Sequence, residues 1–324
     1  MLRIAVSILN YNAATATLDC VHSLQSAVAE PEHPFQLWLW VADNASADSD
    51  ANRLESELAG QESVRFHRHA RNLGFAAGHN RNLRRIFAGR QPDFVWLLNN
   101  DCRVDKTCVS ELLKCSRAQP AVGIWGATLL EADGHTVQCA GGCDYNRWLS
   151  SYRPRAKGRE LDRLGKVADR AFDYVAGASL FMPARVLTGG LLPARGVTPF
   201  HPDDGPWLNE TFFLYFEELD LAARLKPDWR MGWCRGAHIV HAPVSKPDRG
   251  RQASNEFHAT LSALQFTHLH HPALLWLTAS GRLLIKFVWR LAGLKWHLIR
   301  PNLAALSAYR AWRRNHSQKT DGVL

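Results

Sequence analysis

Phe94-Val95-Trp96-Leu97-Leu98-Asn99-Asn100-Asp101 reads as a strand and its exit. Five apolar residues in succession, closed by polar turn residues, suit a strand buried on both faces. The turn delivers a carboxylate, Asp101, to the strand's carboxyl end. The same pattern recurs upstream. Leu2 to Leu9 runs into Asn10-Tyr11-Asn12, and Phe35 to Ala42 runs into Asp43-Asn44-Ala45-Ser46. Helical stretches lie between: 15–28, with Leu18, Val21, Leu24 and Val28 on one face, 48–59, and a basic helix leaving a glycine-containing turn within Asn72 to Arg90. Ser63 to His67 and Val122 to Leu129 read as further strands, and 107–118 as a helix. Strands alternating with helices predict an α/β fold, a mostly parallel sheet covered on both faces. Ligands of such sheets sit beyond the carboxyl ends of the strands, which is where the three Asn/Asp clusters gather.

Charge divides the chain. Residues 257–324 carry nine Lys/Arg against one acid, Asp321, while the first 256 residues carry thirty basic and twenty-nine acidic side chains. We expect a nearly neutral body, 1–256, and a basic helical extension, 257–324. A basic excess confined to an apolar tail argues against nucleic acid and for an anionic membrane surface. Within 272–300 the charges Arg282, Lys286, Arg290 and Lys295 recur every four or five residues among Trp and Leu. They are too frequent for a spanning helix, and their spacing fits an interfacial one. Packing on the body or against a second copy, as a homo-oligomer, is the other use of such a helix. The seven cysteines contain no CxxC pair, so reduced thiols in a cytoplasmic protein are expected. The first strand starts at the N-terminus, with no leader pattern before it.

Four clusters carry chemistry. Asp101 suits a hard divalent cation, which takes one or two protein carboxylates plus phosphate oxygens; capping the next helix is its plain alternative. Phe212-Phe213-Leu214-Tyr215-Phe216-Glu217-Glu218-Leu219-Asp220 sets three acids after an aromatic run. Crowding and an apolar wall raise carboxyl pKa values, which is how a general base is tuned; a favourable helix start is the alternative. Asp220 and Arg224, four apart, can pair. In Arg71-Asn72-Leu73-Gly74-Phe75-Ala76-Ala77-Gly78-His79-Asn80, Gly74 and Gly78 permit close backbone approach to a ligand, and Arg71, Asn80 and Arg81 offer donors. It matches neither a P-loop nor a dinucleotide fingerprint. His238-Ile239-Val240-His241 closes a strand, with both histidines expected on one face and His241 the better metal ligand. Residues 145–172, with seven Arg/Lys between Arg147 and Lys166, read as a flap or a solvated surface; 193–210 reads as a loop.

Taken in order, these segments resemble the family 2 glycosyltransferases of the GT-A fold, and among them the rhamnosyltransferase-like branch. The matching residues are Val6–Asn12, Ala42–Ser46, Asn72–Asn80, Leu97–Asp101, Gly177-Ala178-Ser179, Phe213–Asp220 with Arg224, and His241 with Ser245. The resemblance implies a nucleotide-sugar pocket drawing on Asn10, Asn12, Asp43, Asn44, Asn72, Gly74, Gly78, Asn80 and Asn100, with Asp43 at the base or ribose. It implies a divalent metal, Mg²⁺ or Mn²⁺, held by Asp101 and His241. It implies an acid of the 217–220 motif as base in an inverting transfer: Glu218 first, with Glu217 and Asp220 open. The chain departs from the family in having one carboxylate in Asn99-Asn100-Asp101, a Glu at 218 where Asp is usual, and a longer insertion at about 193–209. The donor expected is a dTDP-, UDP- or GDP-sugar, L-rhamnose among them. The acceptor expected is a surface polysaccharide or lipid-linked glycan, met at the inner face of the cytoplasmic membrane. A catalytically silent nucleotide- or glycan-binding protein is the alternative. A sugar nucleotidyltransferase would need a Gly-rich basic loop after the first strand, which is absent.

Overall fold

The computed structural model describes residues 1–193, 205–242, 248–293 and 296–320. Much of the expected 193–210 loop, and Ser245, lie outside the described residues. The first half runs β1 (Leu2–Asn10), α1 (Ala14–Gln25), β2 (Phe35–Asp43), α2 (Asp48–Leu58), β3 (Val64–Arg68), α3 (Gly74–Ala88), β4 (Phe94–Asn99), β5 (Cys102–Val104), α4 (Cys108–Ala118) and β6 (Val122–Leu130). The strands β3, β2, β1 and β4 are adjacent and parallel. Asn10 pairs in register with Asp43, and Leu9 with Asn99, so the three polar clusters end along one edge.

Alternation along the strands fills both faces. Ile4, Val6, Ile8, Trp96 and Leu98 pack with the apolar stripes of α1, α2 and α4, while Ala5, Val95 and Leu97 pack with Leu83, Ile86 and Phe87 of α3. Val28, expected on the face of the first helix, lies beyond its end and is exposed.

Beyond β6 come β7 (Val137–Ala140), β8 (Gly142–Asn146), β9 (Ser151–Pro154), β10 (Tyr174–Val175), β11 (Ser179–Pro183), α5 (Ala184–Gly189), α6 (Glu217–Ala223) and β12 (Arg230–His241). The large sheet continues past β4 through β11, β6, β12 and β5, with β7 on β6; β10, β8 and β9 form a small second sheet. The charged 145–172 stretch belongs partly to this small sheet. Arg155 within it is buried under Phe172 and Trp233, contrary to a wholly solvated surface. His238 and His241 are three apart on one strand and so point to opposite faces, correcting the single face expected. Cys115 of α4 and Cys234 of β12 form a disulfide with Cα atoms 6.0 Å apart. This corrects the expectation of thiols throughout, which spacing along the chain could not test across 119 residues. Cys20, Cys102, Cys108, Cys139 and Cys143 are free and buried.

Three helices end the chain: α7 (Arg249–His270), α8 (Leu275–Ala292) and α9 (Ile299–Thr320). A boundary at 256/257 would cut α7. The second half of that helix is core: Ala263, Phe266 and Leu269 join the larger apolar cluster. His270 donates Nε2–H to Asp220 at 2.8 Å. Asp220, fully buried, also takes Arg224 Nε at 2.7 Å and Asn209 Nδ2 at 3.3 Å, and Arg224 bonds the Trp207 carbonyl. The extension is therefore continuous with the body. No described helix is long and apolar enough to cross a membrane.

Removing one member of a buried charge cluster leaves the others uncompensated. Arg224→Ala should lower unfolding stability by about 3–5 kcal/mol, read from urea midpoints. Its ion partners hold the Asp220 carboxyl below its ordinary pKa against the cost of burial. A depressed folded pKa adds stability that is complete above the unfolded value of about 3.9 and fades as pH falls through the folded one. The wild type should lose this increment in acid; Arg224→Ala should lose less of it.

Candidate active site

The strand ends form a polar network before any ligand arrives. Asn10 Nδ2 lies 2.8 Å from Asp43 Oδ1, 2.8 Å from Asp50 Oδ2 and 3.0 Å from Ser46 Oγ, while its Oδ1 accepts from Thr17. Asp43 Oδ2 accepts from the Ser46 amide at 3.0 Å. Asn44 accepts from the Leu73 amide and donates to Asn72 Oδ1 and the Gly74 carbonyl. Asn12, in the left-handed region, is exposed at the rim and accepts from the Ala47 amide. Asn10, Asp43, Asn44 and Asn72 thus stand together. Asn100 is turned to Thr17, its Nδ2 donating at 2.9 Å. Asp50 and Thr17 were not singled out in the sequence, because a polar residue early in a helix carries no mark of a cross-strand partner.

The glycines serve packing. Gly74 adopts φ +74°, and a Cβ there would overlap the Phe213 carbonyl, which accepts from the Phe75 amide at 2.8 Å. The turn is pinned beneath the segment leading to the acids. Gly78 lets α3 lie on Leu9. Asn80 is fully buried, exchanging hydrogen bonds with the Leu208 backbone and donating to Glu210. It anchors residues 208–210 and is not turned toward the strand-end cluster. His79 bonds Ser7 at 2.7 Å, and burial pushes its pKa down to about 3, so it is a neutral core residue.

Asp101 and His241 meet because β5 and β12 pair antiparallel, Cys102 opposite His241. His241 Nδ1 lies 2.6 Å from Gln138 Oε1. The Gln138 amide nitrogen donates to the His241 carbonyl and Glu131, which fixes the amide's orientation and makes Nδ1 the donor. Nε2, which accepts from Asn99 Nδ2 at 3.3 Å, also faces Asp101 Oδ1 at 3.1 Å. That oxygen is buried and receives no hydrogen bond. Two acceptors in opposition suit a cation between them, so the residues fit a divalent ion. Cys102 is also near, but burial pushes its thiol far up, and its Sγ points to the Ala178 carbonyl. A neutral thiol is a poor ligand for a hard cation. Gln138 carried no signal in the sequence, since only the fold sets it beside His241.

The acids open a different wall. Tyr215 and Phe216 have φ of 69° and 72°, a costly conformation for aromatic residues that turns the chain abruptly into α6. Glu217 is buried with Oε2 unpartnered. Burial first, then the charge of Glu218, holds its pKa well above the ordinary range. Burial pushes Glu218 up to about 7. Its carboxyl lies against Gly177, where an added Cβ would sit 3.2 Å from Oε1. A cavity of about 570 Å³ is lined by Glu217, Glu218, Asn99, Gln138 and His241, with Tyr145, Tyr152, Tyr174 and Tyr215 among its walls. Asp220 faces away into its ion cluster. The three acids thus have three environments: Asp220 is paired and held below its ordinary pKa, Glu217 is held well above it, and Glu218 is pushed up to about 7.

Residues 5–138 match the family model described as glycosyl transferase family 2. The chain matches no curated protein. Among solved structures it is similar to S. aureus TarS 1-349 in complex with UDP-GlcNAc, with TM-score 0.52 and 12% identity over 95% of this chain and 80% of that one. It is also similar to GalNAc-T7 with UDP, GalNAc and Mn²⁺, with TM-score 0.53 and 11% identity over 76% of this chain and 45% of that one. At these identities the likeness is one of fold. The family match over residues 5–138, set within a GT-A-like sheet, supports a glycosyltransferase.

Proposed function

We propose that the chain is an inverting transferase in which Glu218 is the catalytic base and Asp101 and His241 hold a divalent ion. Support comes from one observation: Glu218 and His241 line the same cavity. The acceptor oxygen bonds the anomeric carbon as its proton passes to Glu218. The bond from that carbon to the nucleoside diphosphate breaks with its electron pair, on the opposite side. A carboxyl with its pKa near 7 is matched to this task. When bound, the divalent ion would offset charge on the departing diphosphate. The cluster of Asp43, Asn44 and Asn72, with Asn12 at the rim, would receive the nucleoside. Donors to screen are UDP-sugars, because the fold relatives are described with UDP-GlcNAc or UDP, then GDP-sugars and dTDP-L-rhamnose.

We also propose that the enzyme rests on a membrane surface and transfers to a lipid-linked or surface glycan. The arrangement of α8 supports this, though differently from the sequence expectation. Two of its charges face the body: Arg282 bonds the Ser150 and Ala259 carbonyls, and Lys286 reaches Glu256 at 2.6 Å. Its apolar side faces outward, with Trp276, Leu277, Leu284, Ile285 and Val288 exposed. Such a helix is inverted relative to one packing on a soluble body. Arg300, Arg310 and Arg314 are exposed on the next helix, suiting anionic lipid.

Three measurements test this. Glu218→Gln should cut kcat by about 10²–10⁴-fold while the fold persists. Wild-type rate should rise with pH to a plateau above about 7. Because the raised folded pKa makes Glu218 cost stability above that pH, Glu218→Gln should be no less stable at pH 8. Mn²⁺ should raise the melting temperature of the wild type, and Asp101→Ala should abolish the rise; an undiminished rise would remove Asp101 as a ligand. The protein should float with vesicles of about 30% anionic lipid, and Trp276→Ser with Leu284→Ser should release it. Equal flotation of that variant would leave the outward face to another partner.

A further inference from the structure

The inward face of α8 borders a second cavity, of about 280 Å³, lined by Tyr152, Tyr215, Phe216, Asn255, Glu256 and Arg282 among others. Tyr152, Tyr215 and Phe216 also line the cleft that holds Glu218, so the two spaces share a wall. Arg282 donates Nη1–H to the Ser150 carbonyl and Nη2–H to the Ala259 carbonyl, the latter at 3.2 Å. Its Nε is buried and has no partner. Among the described residues Arg282 makes no ion pair, and the carboxylate in the same cavity, Glu256, is bound to Lys286 at 2.6 Å. Two carbonyls orient the guanidinium without neutralising it. Burial lowers its pKa, against the opposing charge of Glu256.

Lys286 and Arg282 thus place two cations around one carboxylate, Glu256, leaving an excess of positive charge that an anion would offset. Holding α8 in place would not require it, since a neutral amide could bond the same two carbonyls. Its position beside the acid cleft gives the charge a use. A guanidinium with a donor to spare is suited to an oxyanion.

We propose that Arg282 is an oxyanion subsite for the acceptor: the acceptor carries a phosphate or carboxylate close to the hydroxyl that receives the sugar. This rests on the reading of the Glu218 cleft as the transfer site. It makes α8 part of substrate selection, and it separates acceptor charge recognition from the donor diphosphate, which would lie toward Asp101.

The test is binding, without sugar transfer, so that failure of the subsite and failure of Glu218 as base are read apart. The full chain carrying Asp101→Ala is kept in EDTA, so that no metal can hold a phosphate. Octyl phosphate, glycerol phosphate and a methyl glucuronoside are titrated calorimetrically against neutral octyl glucoside. At least one anionic probe should bind about tenfold or more tighter than octyl glucoside, and Arg282→Gln should erase that preference. Octyl phosphate in the lead assigns a lipid phosphate acceptor; glycerol phosphate assigns a phosphate-bearing polymer, and the glucuronoside an acidic glycan. If Arg282→Gln fails to fold, Arg282→Lys serves, with near-UV circular dichroism as the check: the compact ammonium should weaken the anionic probe at least about threefold and leave octyl glucoside unchanged. No preference for anions in the parent, or a preference intact in a folded Arg282 variant, would overturn the proposal.

Discussion

A carboxylate shut away from water sets the geometry around the acids. Asp220 has no exposure and is held by a guanidinium from its own helix, an imidazole from α7 and an amide from residue 209. In a low-dielectric interior an unmatched acid costs several kcal/mol, so these groups have one satisfactory arrangement. That arrangement fixes the roll of α6 about its axis. The roll sets Glu218 against Gly177 and keeps Glu217 buried along the wall of the same cleft. The left-handed turn at Tyr215 and Phe216 costs about 1–3 kcal/mol per residue and persists because the chain is restrained on both sides, by Gly74 beneath Phe213 and by Asp220 beyond.

The cleft therefore combines walls built by different means. The wall with Asp101 and His241 comes from the sheet: strand register alone brings them within 3.1 Å. The wall with Glu218 comes from a short helix and an irregular loop. Sheet register is rigid, whereas a loop-borne acid depends on what packs behind it. The buried ion cluster provides that backing, and it comes partly from α7.

Much of this was legible in the sequence. The runs Leu2–Leu9, Phe35–Ala42 and Phe94–Leu98 mark their own strands, because a strand buried on both faces must be apolar throughout. Their polar ends mark where those strands stop, along one edge of the sheet. The Asp220–Arg224 pair follows from helical spacing. What could not be read is whatever depends on distant segments meeting. Gln138 orients His241, His270 completes the Asp220 cluster, and Cys115 reaches Cys234, each across a separation that local pattern does not encode. The Asn10 and Asn80 amides look alike in sequence, yet one sits in the strand-end network and the other anchors a loop. The tail misled most: its charges recur with helical spacing, and periodicity identifies a face without saying which way it turns. The histidine pair failed on simpler grounds, since three residues along a strand reverse the side chain.

The continuity of α7 with the core bears on how such a chain changes over generations. A catalytic module that ends in a free linker can be joined to new partners by recombination, its chemistry intact. Here the helix that leaves the sheet supplies His270 to the acid cluster and Phe266 to the apolar core. An exchange of genetic material within it would leave a truncated enzyme with a bare apolar face and an ill-matched carboxylate. The body and its tail are then inherited as one unit.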